Sequence, residues 1–397
     1  MKNPRIELED FKRFREILTI LTEEGFGFIA QKLRVLEHVP ITSRVNNQRR
    51  ETNPERLRET IGELGTTYIK FGQILAEGPD IIPEKYTQEL EKLQDSVPSF
   101  KSEKAIQIID EEVGLENFSQ IKKEPLASAS IAQVHYAKLN NGEKVAVKVR
   151  RPGIKEEVEK DLDILNYLAT KAERHLAKME KIEVISFVKE FSKWTREELD
   201  LEKEGLNAQI FRENMSEEED IKIPETYPAL TTEKVLVMEY VEGVKCTEEE
   251  KLKELDIPES RIAKTAIKAG LKQSIIDGFF HADPHPSNFM ISDEGEIIYL
   301  DFGMMGKITP GESEKLGLIL LYLVQGDTSS LVDCLEELGN KTENYNRENV
   351  EDIVEEKNSA NKKYYSRTKQ YHSSDVQPVC RGLKERPPYT IKPCFNG

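Results

Sequence analysis

The sequence predicts an α+β fold of two lobes, with a helical N-terminal extension and a helical insertion in the first lobe. Two strand-turn-strand patterns, at residues 131–150 and 289–300, indicate the β structure. Long stretches that repeat apolar residues at helical spacing, such as residues 154–213, indicate the helices. At 397 residues the chain is long enough for one large domain with additions, or for two domains.

The composition limits the partners and the compartment. A net charge of −16 argues against nucleic acid as the main partner. The four cysteines show no C-x-x-C spacing, which suits a reducing compartment. Because the N-terminus is charged throughout, we expect no cleavable signal sequence, and the longest apolar run, residues 316–324, is too short to span a bilayer. We therefore expect a cytoplasmic protein without a transmembrane segment, at most peripheral to a membrane.

The N-terminal residues 8–37 have the pattern of a helix, because Phe11, Phe14, Leu18 and Leu21 recur at helical spacing. Basic residues lie among them, so the helix could lie on a membrane surface, although a core-facing helix explains the same pattern. Residues 40–54 are polar and indicate a linker.

Residues 54–117 predict three further helices. The first has an apolar stripe and, on another face, Thr66, Lys70 and Gln73 at i, i+4 and i+7. Its glycines each cost about 1 kcal/mol in a helix relative to alanine, which suggests close approach to another backbone. From spacing alone, Lys70 and Gln73 would be solvated. The next helix begins near Pro83, and the third spans residues 102–113.

In the first lobe, strands 131–139 and 144–150 are joined by the turn Asn140-Asn141-Gly142. The second strand carries Lys148. Two long helical patterns fill residues 154–213, and short strands follow near residues 222–224 and 234–240. The predicted segments are an N-terminal segment (1–53), the extension (54–117), the first lobe (118–245), the second lobe (246–340) and a polar, mostly disordered tail (341–397).

The second lobe contains two acidic residues in a distinctive layout. Asp283 is followed five positions later by Asn288, and Asp301 opens Asp301-Phe302-Gly303. Protein kinases use the same spacing. In that chemistry one aspartate orients or deprotonates the attacking hydroxyl or water, while the asparagine and the second aspartate hold Mg²⁺ against the phosphates of ATP. The predicted hairpin between them would place both acidic groups at one rim of one cleft.

An alternative for the same stretch is a metal site built from His281, Asp283 and His285, since histidine and carboxylate ligands cluster at metals. Such a site needs a further ligand, and the chain contains only six histidines.

Other residues fit a protein-kinase-like nucleotide site. Lys148 ends the run Val145-Ala146-Val147-Lys148, as the phosphate-binding lysine of kinases does. A kinase also needs a helical glutamate to clamp that lysine, and Glu198, Asp200 and Glu204 lie in one predicted helix. The segment from Glu239 to Val241 resembles the hinge whose backbone binds adenine.

The loop before Lys148 departs from the kinase pattern. Ala127, Ala129 and Ala132 stand where G-x-G-x-x-G would have glycines, and Val134 stands in the valine position. Ser128 and Ser130 complete this candidate phosphate loop. Because alanine resists positive φ, we infer a nucleotide site with altered phosphate geometry.

These motifs together resemble the UbiB/ADCK family of atypical kinases, which is tied to coenzyme Q biosynthesis. Residues 50–340 carry the resemblance. Its specific marks are Lys70-Phe71-Gly72-Gln73 for K-x-G-Q, the alanine-rich loop 127–133, Glu198-Leu199-Asp200 for E-x-D, and residues 281–288 for H-x-D-P-H-P-x-N.

The resemblance implies several contacts and an activity. Lys70 is expected to pair with Glu198, with Asp200 as a further candidate, and Glu204 is expected to pair with Lys148. Lys70, Gln73, Glu198 and Asp200 would regulate the site. ATP and Mg²⁺ are the implied cofactors, and the implied activity is ATP hydrolysis or phosphorylation of a small or lipid-like molecule, not of a protein.

The implied partners are quinone-related or other isoprenoid lipids, a membrane surface and enzymes of lipid biosynthesis. An alternative function is a nucleotide-gated chaperone or scaffold for lipid-modifying enzymes, without phosphoryl transfer. Two features depart from the family pattern. Members often continue with C-terminal hydrophobic segments, which are not seen in this sequence, and no A-P-E segment of protein-kinase type is present. We therefore expect either a minimal second lobe or a shortened chain, with a tail that need not belong to the fold.

Overall fold

The computed structural model describes residues 8–33, 35, 53–77, 82–93, 99–176, 184–339 and 345–356. Its first part is helical. The helices are α1 (Leu8–Glu23), α2 (Gly27–Lys32), α3 (Pro54–Leu64), α4 (Thr66–Glu77) and α5 (Glu84–Leu90). The prediction of one helix over residues 8–37 is wrong, because the chain turns between α1 and α2 at Gly25, whose φ is +93°. Most of the predicted linker, residues 40–52, lies outside the described residues.

The first lobe is a four-stranded antiparallel sheet in the order β1-β2-β3-β5. A helix, α6, packs against one face of this sheet through Ala105 and Ile109. Alternation of buried residues along the strands explains why this face is apolar. The elements are α6 (Ser102–Val113), β1 (Phe118–Ser128), β2 (Ala132–Leu139), β3 (Lys144–Arg150) and β5 (Val235–Glu239).

The structure corrects the interpretation of residues 127–133 as a loop, because both ends of this segment belong to strands β1 and β2. Ala127 lies in β1 opposite Val134, and Ser128 lies opposite Gln133. The sequence pattern concealed β1 because Lys122, Lys123, Glu124 and Pro125 interrupt any apolar alternation.

Three helices, rather than two, lie in the described parts of the insertion, residues 154–176 and 184–214. They are α7 (Ile154–Leu176), α8 (Val184–Glu198) and α9 (Leu201–Asn214). The second predicted helical pattern is broken at Leu199 and Asp200, so Glu198, Asp200 and Glu204 do not share one helix. The helices α7 and α8 bury Leu162 and Phe191 in one core with Phe14 of α1 and Tyr68 of α4.

A second, small sheet has the order β4-β9-β8-β6, in which β4 and β6 come from residues predicted to belong to the first lobe and β8 and β9 belong to the second lobe. The second lobe also contains a two-stranded ribbon of β7 and β10. Gly295, whose φ is +89°, lies in the turn of the predicted hairpin between β8 and β9. The strands are β4 (Ile221–Lys222), β6 (Val244–Lys245), β7 (Phe279–His281), β8 (Phe289–Ile291), β9 (Ile297–Tyr299) and β10 (Met305–Lys307).

The second lobe also contains four α-helices among its described residues. An α-helix over residues 259–271 is followed directly by a π-helical turn, Lys272–Asp277. Residues 347–356 are also helical, although the sequence predicted a mostly disordered tail from residue 341. The α-helices are α10 (Glu249–Glu254), α11 (Glu259–Leu271), α12 (Pro310–Gln325) and α13 (Thr328–Leu338).

None of the described helices has both the length and the apolar character that a membrane crossing requires.

Candidate functional site

Lys148 lies between two carboxylates where the two lobes meet. Its Nζ lies 2.7 and 2.9 Å from the two carboxylate oxygens of Glu204 and 2.9 Å from Asp301 Oδ2. Strand β3 supplies the lysine, the first turn of α9 supplies Glu204, and the segment after β9 supplies Asp301. The predicted ion pair between Lys148 and Glu204 is therefore present, and Asp301 joins it.

The pKa shifts follow from this charge arrangement. Burial opposes the charge of Lys148, but the carboxylates of Asp301 and Glu204 outweigh it and raise the pKa of the lysine. Burial also opposes the charge of Asp301, yet Lys148, with a smaller contribution from Lys70, holds the pKa of that carboxyl well below its usual range. For Glu204, burial dominates and raises the pKa to about 7. Lys148, Glu204 and Asp301 form one charged cluster, and Glu204 is thus its member that titrates near neutral pH.

Hydrogen bonds to the main chain fix the position of Asp301. Its Oδ1 accepts the N–H of Gly303 at 2.9 Å. The ring Nε2–H of His281 donates to the carbonyl oxygen of Asp301 at 2.6 Å. Asn207 of α9 donates to the carbonyl oxygen of Phe302 at 3.0 Å. Both lobes therefore hold the segment that carries this carboxylate.

Asp283 and Asn288 are also brought together. The side-chain amide of Asn288 donates to Asp283 Oδ2 at 3.0 Å and to the Asp283 carbonyl at 3.1 Å. The carbonyl of Asn288 accepts the N–H of Leu300, which connects this loop to the segment of Asp301. The predicted antiparallel pairing of β8 with β9 produces this arrangement.

The residues present fit a magnesium site. Asp301 offers carboxylate oxygens and Asn288 offers an amide oxygen, which are hard ligands of the kind that Mg²⁺ takes. Mg²⁺ needs only one or two carboxylates from a protein when phosphates and water supply the other ligands. The nearby Lys148 suits a site that also receives phosphate oxygens.

The alternative metal site of His281, Asp283 and His285 is not formed. His281 accepts the N–H of Asp283 at Nδ1 and donates from Nε2 to Asp301, so both ring nitrogens are engaged. His285 contacts Ser287. Within the described ranges, no three His, Cys, Asp or Glu side chains are grouped so as to hold a metal ion.

The K-x-G-Q helix α4 reaches this cluster. Lys70 Nζ lies 2.8 Å from Glu198 Oε1, and both side chains are largely buried. A β-carbon built at Gly303 would lie 3.3 Å from Glu198 Cγ and 3.2 Å from Asp301 Oδ1. The predicted pair of Lys70 and Glu198 is therefore present directly beside Asp301.

Gln73 and Asp200, the other two residues predicted to regulate the site, form hydrogen bonds with other parts of the chain. Gln73 donates from Nε2 to the carbonyl oxygen of Leu93 at 3.2 Å. Asp200 caps α9 by accepting the N–H of Lys203 at 3.1 Å. Its carboxylate thus begins the helix that carries Glu204.

Residues 129–131, in the middle of the alanine-rich segment, form a tight turn between β1 and β2. The N–H of Ala129 donates to the carbonyl oxygen of Ala132 at 2.8 Å. Ser130 is buried, and its carbonyl accepts a bond from Arg151 Nε at 3.2 Å. Val134 lies directly across from Lys148 in the sheet. A turn held in this way differs from a loop of three glycines.

The hinge residues follow β5. Glu239 ends this strand, and Val241 lies in the segment that leads to β6; both are half-buried. A β-carbon at Gly243 would lie 2.8 Å from the carbonyl oxygen of Ile291. Glycine is therefore required there for the hinge to pass so close to β8.

Two buried residues that hold the site together, Arg150 and Gln273, were not predicted from the sequence. Arg150 donates to the carbonyl oxygens of Leu199 at 2.6 Å and Glu233 at 3.1 Å, and so fixes the break between α8 and α9. Gln273, in the π-helical turn, accepts the N–H of His281 at 3.0 Å. A signal for Arg150 was its position two residues after Lys148 in a buried strand; Gln273 had none.

Comparison with known proteins identifies the family. Residues 92–335 match the model of the ABC1 atypical kinase-like domain. The chain belongs to this family. The ABC1 family includes the UbiB/ADCK proteins, so the resemblance inferred from the motifs is confirmed. The kinase-like α+β fold is confirmed as well.

Two curated relatives and one solved structure illustrate the likeness. An uncharacterized protein of Synechocystis sp. is 36% identical over 72% of this chain and 51% of its own length. The chloroplastic protein ACTIVITY OF BC1 COMPLEX KINASE 8 of Arabidopsis thaliana is 36% identical over 73% of this chain and 39% of its own length. This chain therefore spans about half or less of each relative.

The solved structure is that of the complex of Rv3197 with erythromycin from Mycobacterium tuberculosis. Its sequence is 27% identical, the TM-score is 0.50, and the match covers 73% of this chain and 74% of that one.

Proposed function

We propose that this chain binds ATP with Mg²⁺ and transfers or hydrolyses its terminal phosphoryl group. The observation that carries the proposal is the cluster of Lys148, Glu204 and Asp301, in which Lys148 and Glu204 are buried and Asp301 is partly exposed. Kinase-type phosphoryl transfer depends on a lysine clamped by a helical glutamate and on a nearby carboxylate that holds the metal. Asp283 and Asn288, hydrogen-bonded to each other beside this cluster, complete the set of required groups.

Each side chain has a distinct role in this proposal. Lys148 binds phosphate oxygens and is held in place by Glu204. Asp301 and Asn288 hold Mg²⁺, which supplies charge neutralisation at the phosphates when it is bound. Asp283, oriented by Asn288, positions the attacking hydroxyl or water and accepts its proton.

The proposed nucleotide contacts lie in the first lobe and the hinge. Backbone groups of Glu239 and Val241 bind adenine, and the turn that carries Ala129 lies near the phosphates. The residues of this loop and strand that we propose to line the nucleotide site are Ala127, Ser128, Ala129, Ser130, Ala132 and Val134.

The proposed acceptor is a small or lipid-like molecule of quinone or isoprenoid type. Helix α4 places Lys70 against Glu198 beside Asp301, and we infer that a helix in this position would leave little space for an extended protein substrate. The likeness to a protein solved with erythromycin is in line with a small organic ligand. Exposed Phe11 and Phe28 on the N-terminal helices suit peripheral contact with the membrane in which such lipids reside.

The test is an assay of ATP turnover by the purified chain with Mg²⁺, with and without liposomes that contain an isoprenoid or quinone extract. Mass spectrometry of the lipid fraction detects added phosphate. Turnover stimulated by the extract supports the proposal, whereas faster labelling of a protein acceptor would contradict the acceptor class. Nucleotide binding without turnover under every condition would favour the alternative, a nucleotide-gated chaperone or scaffold for lipid-modifying enzymes.

Nucleotide affinity is expected to fall as the pH is lowered from 8 to 6. Because burial raises the pKa of Glu204 to about 7, the carboxylate gains a proton in this interval and loosens its hold on Lys148. Titration of ATP at both pH values measures the effect. Glu204→Gln should remove the pH dependence, whereas Glu202→Gln, an exposed change on the same helix, should retain it.

Unlike nucleotide affinity, the stability of the protein should increase as the pH is lowered. A carboxyl whose folded pKa lies above its unfolded value contributes stability at low pH that is lost as the pH rises through the folded pKa. The contribution of Glu204 to the free energy of unfolding therefore decreases between about pH 4.5 and pH 7. Denaturant unfolding at pH 5 and pH 8 measures this change in stability. For the preceding prediction, equal ATP affinity at pH 6 and pH 8 would contradict the proposed clamping of Lys148 by Glu204.

Ala129→Gly is expected to change nucleotide selectivity, most simply by tightening the binding of ADP and ATP. Glycine would allow the turn to reach positive φ and move nearer the phosphates. If alanine only packs in the turn, glycine should cost about 0.5–1 kcal/mol of stability and do nothing else. Titration of both nucleotides, with a melting curve for each form, separates the two outcomes; a lower melting temperature with unchanged affinities means that the turn is only structural.

A further inference from the structure

Arg13 of α1 connects three helices at a point away from the nucleotide cluster. Its Nε lies 2.8 Å from Asp161 Oδ1, and its Nη2 lies 3.3 Å from Asp161 Oδ2. The same Nη2 donates to the carbonyl oxygen of Leu64 at 2.5 Å. Asp161 belongs to α7 and has no exposed side-chain surface, whereas Leu64 is the last residue of α3.

The Leu64 carbonyl marks the joint between α3 and α4. Gly65, whose φ is +99°, separates the two helices, and its carbonyl accepts the N–H groups of Tyr68 and Ile69 that begin α4. The last carbonyls of a helix have no partner within it, and a cation near them is favourable. Arg13 therefore satisfies the end of α3 and fixes the point from which α4 departs.

The position of α4 determines the position of Lys70. This lysine lies five residues after Gly65 and pairs with Glu198 beside Asp301. Tyr68, in the first turn of α4, is buried near Asp161: burial and then the Asp161 carboxylate raise the pKa of its hydroxyl. Arg13 and Asp161 thus border the start of α4 from two different helices.

We propose that Arg13 and Asp161 are positioning residues that hold α4, and with it Lys70, over the nucleotide site. The N-terminal helix α1 then controls access to that site through this ion pair. The inference rests on the proposed function, because the site that α4 covers is the proposed nucleotide site. A buried Asp161 without its partner would be an uncompensated charge. The connection between α3 and α4 would therefore rearrange when the contact between Arg13 and Asp161 is lost.

The test compares Arg13→Met with Arg56→Met in the full chain. Arg56 of α3 is a matched control, since it pairs at 2.9 Å with Glu24, which directly follows α1, and does not contact the end of α3. Arg13→Met should increase amide hydrogen exchange in residues 66–77 and speed the release of a fluorescent ATP analogue, each by at least about fivefold. Arg56→Met should change neither, and melting curves should show both variants folded.

A double variant tests whether Arg13 acts through Lys70. Lys70→Met should speed nucleotide release by itself, and adding Arg13→Met should produce no further increase. Arg13→Lys keeps the charge but not the forked contact, and should lie between the parent and Arg13→Met. It also serves if Arg13→Met does not fold.

Two outcomes would overturn the inference: hydrogen exchange in residues 66–77 that is the same in the Arg13 and Arg56 variants, or effects of Arg13 and Lys70 that simply add. If the parent binds no nucleotide, the proposed function fails on that result, and hydrogen exchange in α4 still decides whether Arg13 positions the helix.

Discussion

Asp301→Asn is expected to lower Mg²⁺-dependent ATP turnover by at least about a hundredfold. The substitution removes the charge that lies 2.9 Å from Lys148, and with it the carboxylate proposed to hold Mg²⁺. The asparagine oxygen can still accept the N–H of Gly303, so the backbone arrangement should be retained. Phosphate release measured over a range of Mg²⁺ concentrations shows whether the loss can be overcome by more metal.

A matched control for this prediction is Asp293→Asn. Asp293 is exposed in the turn between β8 and β9, and the same chemical change there should leave turnover unaltered. Melting curves of both variants show whether a loss of activity reflects a loss of structure. If Asp301→Asn turns over ATP as the parent does, the kinase-like interpretation of this site is wrong.

The sequence predicted those parts of the fold that depend on neighbouring residues. The hairpin of β2 and β3 has a turn with Gly142 at φ +92°, and glycine at such a turn is a local signal. The hairpin of β8 and β9 has Gly295 in the same role. Local geometry alone therefore placed Lys148 on a strand and Asp301 after one.

The break between α8 and α9 could not be predicted in the same way. The segment around Leu199 is rich in glutamate and lysine, which favour an uninterrupted helix. Contacts with distant residues override that preference: Arg150 binds the Leu199 carbonyl, and Leu201 donates to the Glu233 carbonyl at 3.2 Å. Asp200 was the one local signal, because aspartate is a common N-cap.

The contact of Lys70 with Glu198 lies beyond any local pattern. The two residues are 128 positions apart, and spacing alone indicated a solvated lysine. The family resemblance supplied the expectation of this pair, and the fold supplies the cause: the packing of α4 against α7 and α8 brings Phe71 against Phe191, with ring centroids 5.1 Å apart. The same packing brings Lys70, which directly precedes Phe71 in the chain, into contact with Glu198.

Lys148→Met is expected to destabilise the protein by roughly 3–5 kcal/mol and to abolish measurable nucleotide binding. The change leaves the carboxylates of Glu204 and Asp301 close together without their shared cation. Two like charges in a buried site raise each other's pKa, so one of them must take up a proton or the site must open. Urea unfolding of the variant and the parent measures the difference in free energy.

The loss of stability should depend on pH with a defined sign. Lys148 lowers the pKa of Glu204 against the effect of burial, so its removal raises that pKa above about 7. Glu204 then binds a proton in the folded variant over a range in which the unfolded chain does not, and the variant loses stability as the pH rises through this range. The deficit relative to the parent should therefore be larger at pH 8 than at pH 5.

The double variant Lys148→Met with Glu204→Gln identifies the source of the deficit. Glutamine removes one of the two repelling charges, so stability at pH 8 should recover in part, while nucleotide binding should stay absent because the phosphate-binding cation is missing. A deficit that is equal at pH 5 and pH 8, or that the glutamine does not reduce, would show that Lys148 contributes by packing rather than by charge. Nucleotide binding by either variant at the parent's affinity would remove Lys148 from the proposed site.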